Sequence, residues 1–160
     1  MTLREFYLER RRAEGPAFLR VLKALPAERL SYKPHERSPS AEQLVCTLTS
    51  ELKSCVDAAS LFRGEWAPDP PKPLGEMIGL FERRANELTD VVSKMDEGSW
   101  SRVAQFYYNG KVVSEQPVGQ FLWFIHFDAI HHRGQLSAYL RPMGGTVPSI
   151  YGPSADSKSA

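Results

Sequence analysis

The sequence predicts an all-α protein: an antiparallel four-helix bundle with a long crossover connection and a short β-hairpin before the last helix. Four segments carry apolar residues at helical spacing, and each has one apolar stripe that only neighbouring helices can cover. A segment rich in β-branched and aromatic residues flanks Asn109-Gly110, a pair that suits a hairpin turn. The 160 residues fit one domain, in which residues 1–145 form the bundle and 146–160 an irregular C-terminal tail partly packed on it.

The first helix begins behind Thr2, which forms a capping box with Glu5. Apolar residues then recur at helical spacing as far as Ala24 or Leu25. Pro16 falls in the middle of this segment, where proline removes a backbone donor and clashes with the preceding turn. We therefore expect the helix to kink or restart there.

The second helix opens on another capping box, Ser40 with Gln43, and Gly64 is expected to close it. Residues 65–73 hold four prolines and predict a stiff surface connection to the third helix. The second helix presents one apolar stripe, made of Leu44, Leu48, Leu52, Cys55, Ala59 and Phe62.

The second half of the chain holds two more helices. The third begins at Leu74 and ends before Gly98. The predicted hairpin occupies residues 101–114. Pro117 suits the first turn of the last helix, which stops before Pro142.

Charge and cysteine content limit the function classes. Twenty Lys and Arg against nineteen Asp and Glu give a net charge of +1, too little to favour nucleic acid as a partner. We find no signal peptide or membrane span in the sequence, and this predicts a cytoplasmic protein that does not bind membranes. Cys46 and Cys55 would lie about 13 Å apart along one helix, too far for a disulfide, so both are predicted to be free thiols.

The last helix carries a candidate metal-binding pair in the stretch IHFDAIHHRGQL. Asp128 and His132 lie one turn apart on one face, and they share the apolar stripe that points into the bundle. Ionisable groups are costly there unless they are paired or bind a metal. The alternative is that Asp128 simply pairs with His132.

The second helix offers Glu51 as a third ligand, with Thr47 one turn away. A carboxylate oxygen is a good donor to Zn²⁺, Ni²⁺, Mn²⁺ or Fe²⁺, whereas a threonine hydroxyl is a weak ligand. We therefore select Glu51 and place Thr47 in the surrounding pocket. The alternative is that Glu51 is a carboxylate at the bundle edge that reaches solvent or an arginine.

Neighbouring residues of the last helix are candidates for supporting roles. His131 lies beside the Asp128 and His132 row, where it is a candidate ligand, base or hydrogen-bond donor to the ligands. Arg133 either binds an anionic substrate or pairs with an acid, and Gln135 is assigned to the pocket. His126 is rotated away from this row and is expected to be packed or solvent-facing.

The stretch IHHRGQLSAYLRPMGG resembles the closing signature of the DinB/YfiT-like superfamily. The YKPHERSPS loop, the proline-rich connection and the VPSIYGPSAD tail are similar to one bacterial branch of it, so the resemblance covers nearly the whole chain. It implies an antiparallel four-helix bundle, usually dimeric, that binds a divalent metal through three histidines. Those positions fall at Thr47, Asp128 and His132, of which only His132 keeps the histidine. The resemblance thus implies either a rearranged, oxygen-rich site with Glu51 or a site that has lost its metal.

The resemblance also implies an activity. Members of the superfamily include transferases and isomerases that use low-molecular-weight thiols such as mycothiol or bacillithiol, and in these the metal binds the thiol and lowers its pKa. The partner would then be a small-molecule substrate or a thiol. The competing class is a non-catalytic, small-ligand-binding or stress-related bundle protein. Outward apolar residues on the last helix, Trp123, Phe124 and Phe127, agree with a homodimer.

Overall fold

The computed structural model describes residues 1–157, and most of them are helical, as the sequence predicts. Four long helices form the core, and a short helix and a three-stranded sheet are inserted between them. In chain order the elements are α1 (Leu3–Ala24), a 3₁₀ turn (Ala27–Arg29), α2 (Ala41–Leu61), β1 (Arg63–Trp66), α3 (Leu74–Lys94), α4 (Glu97–Ser101), β2 (Val103–Tyr108), β3 (Lys111–Pro117) and α5 (Val118–Leu140).

The four long helices form a ring around a shared core. Helices α1 and α2 each pack against both α3 and α5, so that α1 and α2 occupy opposite corners. Of the consecutive long helices, only α2 and α3 are neighbours in this ring. Two connections therefore cross the molecule, one formed by residues 25–40 and one by residues 95–117.

Helix α1 has the capping box that the sequence predicts, because Thr2 and Glu5 exchange hydrogen bonds between side chain and backbone. Pro16 lies inside a single continuous helix, so the expected restart was wrong. Buried residues on both sides of the proline, among them Leu8 and Phe18, hold the two halves against the same core.

Helix α2 begins at the predicted capping box of Ser40 and Gln43 but does not end at Gly64. Phe62 ends it with φ 55°, in the left-handed region, and Gly64 lies in strand β1. A Cβ at Gly64 would lie 2.6 Å from the ring of Phe106 on the neighbouring strand. The glycine therefore serves close packing rather than helix termination.

The predicted hairpin is present and is part of a larger sheet. Strands β2 and β3 pair antiparallel across Asn109 and Gly110, which have φ values of 50° and 72°, as a turn with two left-handed residues requires. Strand β1 adds to β2 in parallel, with Gly64 paired to Phe106. The sheet packs against α2 and α5. The all-α description is thus corrected to a mostly helical fold with a small mixed sheet.

Helix α3 ends at Lys94, and a separate short helix, α4, follows it. Asp96 caps α4 by accepting a hydrogen bond from the Ser99 backbone N–H. Gly98, the expected limit of the third helix, lies inside α4. Trp100 of α4 is buried and packs closely against α5. A Cβ at Gly119 of α5 would lie 2.3 Å from the indole ring.

Two irregular segments are attached to the helices by polar contacts. In the proline-rich connection, Asp69 accepts hydrogen bonds from the hydroxyls of Thr49 and Ser50 and pairs with Arg84. In the tail, the Ser149 carbonyl accepts a hydrogen bond of 2.8 Å from Nε of Arg20. The last three residues of the predicted tail, 158–160, lie outside the described residues. Among the described helices, none is both long and apolar enough to cross a bilayer.

Candidate metal centre

Three ionisable side chains meet where α2 faces α5. One ligand atom each from Glu51, Asp128 and His132 lies within 4.8 Å of the other two. Nε2 of His132 is 3.6 Å from Oε1 of Glu51 and 3.6 Å from Oδ2 of Asp128. The helical spacing of Asp128 and His132 explains their shared face, and the packing of α2 against α5 supplies Glu51.

Gln135 fixes the orientation of the His132 ring. Its Oε1 lies 2.8 Å from Nδ1 of His132, and because an amide oxygen only accepts, Nδ1 carries the donated proton. In the neutral ring, Nε2 then presents a lone pair to the two carboxylates. Metal-binding histidines characteristically hydrogen-bond through the other ring nitrogen in this way.

Glu51 is the most buried member of the cluster, with 2% of its surface exposed. Its Oε2 is shielded from solvent and has no hydrogen-bond partner among the described residues. Burial, then the negative charge of Asp128 and a side-chain hydrogen bond with Asp128, raise the pKa of Glu51 to about 9. A carboxylate in this position therefore lacks a cation that would stabilise its charge.

The donor set fits a divalent metal ion. Two carboxylates and one imidazole supply oxygen and nitrogen ligands of the kind that Zn²⁺, Ni²⁺, Mn²⁺ and Fe²⁺ accept. The unpartnered Oε2 of Glu51 is the observation that a cation would explain, since buried polar atoms nearly always have a partner. Three protein ligands leave coordination positions for other molecules.

The cluster lines an open cavity of about 640 Å³ between α2, α5 and the sheet. Thr47 lies in its wall, one turn from Glu51. Most of the remaining wall is aromatic or apolar, and much of it comes from the sheet, through Trp66, Phe106, Tyr107 and Val113. The sequence did not reveal this part of the cavity, because the parallel pairing of β1 joins segments about forty residues apart.

Two neighbours of the cluster lie elsewhere. His131 is exposed and is absent from the described cavity lining, although its ring centroid is 5.4 Å from that of His132. Arg133 is buried on the other side of α5, where its Nη1 is 2.5 Å from Oε2 of Glu14. Of the two predicted roles of Arg133, the structure shows the ion pair with an acid.

His126 and both cysteines are packed in the interior. His126 was expected to be either packed or solvent-facing, and it is packed. Its burial lowers its pKa to about 4. Cys46 and Cys55 are free, as predicted. Burial raises the pKa of both thiols, so they remain protonated at neutral pH and are poor nucleophiles.

Comparison with known proteins identifies the family. The model of the DinB family matches residues 2–159, nearly the whole sequence, and the chain therefore belongs to this family. Among curated proteins, no sequence matches the chain.

Solved structures agree with this fold. A DinB-like protein from Bacillus cereus superposes with a TM-score of 0.76 at 19% identity, covering 92% of this chain and 97% of the other. YfiT from Bacillus subtilis, described as a probable metal-dependent hydrolase with an unusual four-helix bundle topology, gives a TM-score of 0.57 at 14% identity, covering 89% of each chain. A mycothiol-dependent maleylpyruvate isomerase gives 0.54 at 15% identity, covering 92% of this chain and 62% of the other.

Proposed function

We propose that this protein is a metal-dependent enzyme in which Glu51, Asp128 and His132 hold one divalent ion. The observation that carries the proposal is the convergence of three ligand atoms around a buried carboxylate oxygen that has no other partner. The histidine orientation set by Gln135 supports it. YfiT, which is described as a probable metal-dependent hydrolase, supports the same class.

The chemistry of such a site follows from the residues around it. A divalent ion supplies Lewis acidity, which lowers the pKa of a thiol or water beside it. His132 is held with Nε2 toward the carboxylates, and the buried Glu51 would supply negative charge when a bound cation lowers its raised pKa. The aromatic wall from the sheet offers an apolar surface to the apolar part of a small substrate.

We propose transfer of a low-molecular-weight thiol to a small electrophile as the reaction. The cavity of about 640 Å³ has room for both partners, and its wall is mostly apolar. The buried, protonated cysteines are unsuited to act as the nucleophile, so the thiol comes from a cosubstrate. Hydrolysis is the second candidate, supported by the description of YfiT.

The proposal includes an antiparallel arrangement of the four helices and a homodimer. Phe124 and Phe127 on α5 are 61% and 62% exposed, and Trp123 is partly buried between them and the core. Exposed aromatic side chains on one helix face favour burial against a second copy. Light scattering that gives the monomer mass at micromolar concentration would contradict the dimer.

Metal analysis of the purified protein tests the site. We expect the wild type to bind about one Zn²⁺, Ni²⁺, Mn²⁺ or Fe²⁺ ion per chain, and His132→Ala to lose it while retaining its helical circular dichroism spectrum. His131→Ala is the matched control, because it removes an exposed imidazole from the adjacent position and should retain the metal. Equal metal content in the wild type and in an Asp128→Ala, His132→Ala double variant would refute the site.

Activity assays distinguish the two reactions. The metal-loaded protein is mixed with bacillithiol or mycothiol and the electrophile monobromobimane, and in parallel with p-nitrophenyl acetate and no thiol. Thiol conjugation that is lost in His132→Ala supports the transferase, whereas ester cleavage alone supports the hydrolase. A metal-binding protein that catalyses neither reaction favours the non-catalytic binding class.

A further inference from the structure

A second cavity of about 410 Å³ lies in the centre of the ring formed by the four long helices. Glu51 and Ile125 belong to its wall and also to the wall of the cavity beneath the sheet. Among the described lining residues, neither Asp128 nor His132 takes part in it. The central cavity is therefore a separate space behind the candidate metal centre.

Two polar atoms in the wall of this cavity, Nε of Arg11 and Nδ1 of His126, are shielded from solvent and have no hydrogen-bond partner among the described residues. The hydroxyl of Tyr7, which is absent from the described lining, interacts with the Arg11 side chain. Tyr7 and Arg11 lie one turn apart on α1, and the ring centroids of Tyr7 and His126 are 5.8 Å apart. Arg11 and His126 line the cavity. Since buried polar atoms are nearly always paired, this group indicates a polar occupant.

The charge of the wall favours an anion as that occupant. Arg11 has no carboxylate within ion-pair distance among the described residues, unlike Arg133, which pairs with Glu14. Arg12 adds a second guanidinium. Two acids also line the cavity, but Glu82 lies 3.7 Å from the ammonium of Lys23, and Glu51 belongs to the metal cluster. A guanidinium binds a carboxylate through two parallel N–H donors.

The rest of the wall determines which kind of anion fits. Phe18, Leu48 and Phe81 contribute large apolar surfaces, and the rings of Phe18 and Phe81 contact one another. A hydrated inorganic ion would make no favourable contact with this apolar surface. A molecule that combines a carboxylate with a hydrocarbon or aromatic body contacts both parts of the wall.

We propose that the central cavity binds a small organic carboxylate. Its carboxylate lies on the guanidinium of Arg11, and its apolar body packs among Phe18, Leu48 and Phe81. The proposal requires no metal ion, so it stands or falls separately from the proposed enzyme activity.

Fluorine NMR on the full-length, chelator-treated protein tests the proposal with 4-fluorobenzoate as the probe. The matched probes are 4-fluorobenzyl alcohol and 4-fluorobenzylamine, which share the ring and lack the negative charge. We expect the benzoate to bind at least about tenfold more tightly than either. Removing metal beforehand ensures that the carboxylate is not held by a metal ion.

Variants locate the probe. Arg11→Gln should reduce benzoate affinity about tenfold or more and leave alcohol binding within about twofold. Arg10→Gln is the control, because Arg10 pairs with Glu9 and is absent from the described lining. Arg11→Lys keeps the positive charge but lacks the two parallel N–H donors, so it should bind benzoate with intermediate affinity. This variant tests the proposal if Arg11→Gln does not fold.

A cavity-filling variant separates binding from folding. Nothing lies within 4 Å of a Cβ placed on Gly15, which lines the cavity inside α1. Gly15→Leu should therefore abolish benzoate binding, and because a Cβ before Pro16 disfavours the helical conformation, the helical circular dichroism spectrum serves as the check that the variant folds. Equal affinity for benzoate and the alcohol, unchanged binding in Arg11→Gln, or no binding of any probe would overturn the proposal. The last result would mean that ordered water fills the cavity.

Discussion

His132 and Arg133 are adjacent on α5 but belong to two different polar clusters. The guanidinium of Arg133 has hydrogen-bond partners, whereas a buried oxygen in the His132 cluster has none among the described residues. Arg133 donates to Glu14 and to the hydroxyl of Tyr151, each at 2.5 Å, and its guanidinium lies 4.7 Å from the centroid of the Phe18 ring. His132 stands between two carboxylates, and one oxygen of Glu51 has no partner. Complete pairing accounts for the Arg133 cluster as a structural element. Incomplete pairing is the reason for proposing the His132 cluster as a binding site.

The largest expected effect comes from breaking the paired cluster. Arg133→Met should destabilise the protein by about 3 kcal/mol, because it leaves the carboxylate of Glu14 partly buried without its partner. Urea unfolding measures the change. The exposed pair of Arg141 and Asp156 provides the control, and Arg141→Met should cost less than about 1 kcal/mol.

The metal affinity of the folded Arg133→Met protein tests whether the Arg133 and His132 clusters are independent. It should equal that of the wild type, since Arg133 faces away from Glu51 and His132. A Zn²⁺ affinity that falls together with stability would mean that the two clusters are not independent.

The second prediction concerns the unpaired cluster. Zn²⁺ at a hundred times its dissociation constant should stabilise the wild type by about 2.7 kcal/mol, and a chelator should remove this gain. Glu51→Gln should lose the metal-dependent gain, while its metal-free form should be no less stable than the wild type, because the raised pKa of Glu51 keeps its carboxyl protonated at neutral pH and glutamine replaces one uncharged group with another.

Thermal unfolding with and without Zn²⁺ measures both the metal-dependent gain in stability and the stability of the metal-free form of Glu51→Gln. Glu87→Gln, an exposed substitution on α3, serves as the control and should behave as the wild type. Strong destabilisation of the metal-free Glu51→Gln protein would assign Glu51 a structural role instead.

The third prediction concerns Gln135, which positions His132 through a hydrogen bond of 2.8 Å. Gln135→Leu should lower metal affinity about tenfold to a hundredfold, because the ring loses the acceptor that fixes its orientation. Gln135→Glu keeps an acceptor and should retain the affinity. Titration calorimetry with Zn²⁺ distinguishes this positioning effect from a loss of fold, which would affect both variants equally.

The smallest effect is expected at a second paired cluster, that of Asp69. Burial raises the pKa of Asp69, but hydrogen bonds from Arg84, Thr49 and Ser50 and the charge of Arg84 outweigh this and hold the pKa below its usual value. The stabilisation is therefore present above about pH 4 and is lost as pH falls through the lower folded-state pKa.

Urea unfolding between neutral and acidic pH measures this dependence. Asp69→Asn should be less stable than the wild type at pH 7 by about 1 kcal/mol, and the difference should shrink below pH 4. A constant difference across the pH range would show that the charge of Asp69 is not the source of its contribution.

Local patterns in the sequence were enough to predict the four long helices and to place two of the three candidate ligands, Asp128 and His132, on one face, whereas Glu51 was selected for the chemistry of its carboxylate. Both capping boxes, the turn at Asn109 and Gly110 and the shared face of Asp128 and His132 depend on residues within a few positions of one another. The proximity of Glu51 depended on which helices are neighbours, which the stripe of α2 alone does not determine.

Other features depended on long-range packing and were missed. Gly64 suggested a helix end, but the ring of Phe106, far along the chain, explains it better. Pro16 suggested a kink or a restart, but α1 is one continuous helix, with buried residues on both sides of the proline that pack against the same core. The position of Arg11 beside His126 in the central cavity had no signal in the sequence, because an arginine without an acidic partner in an arginine-rich turn is ordinarily exposed to solvent.

The order of the helices around the ring also affects how the chain folds. Helices α2 and α3 are consecutive and adjacent, so they can associate early through a short connection, whereas α1 and α5 depend on distant partners. During synthesis, α5 is the last long helix to emerge, and it brings Asp128 and His132 to Glu51. The candidate metal centre is therefore assembled in the same late step that closes the core, and a chain arrested before α5 has neither.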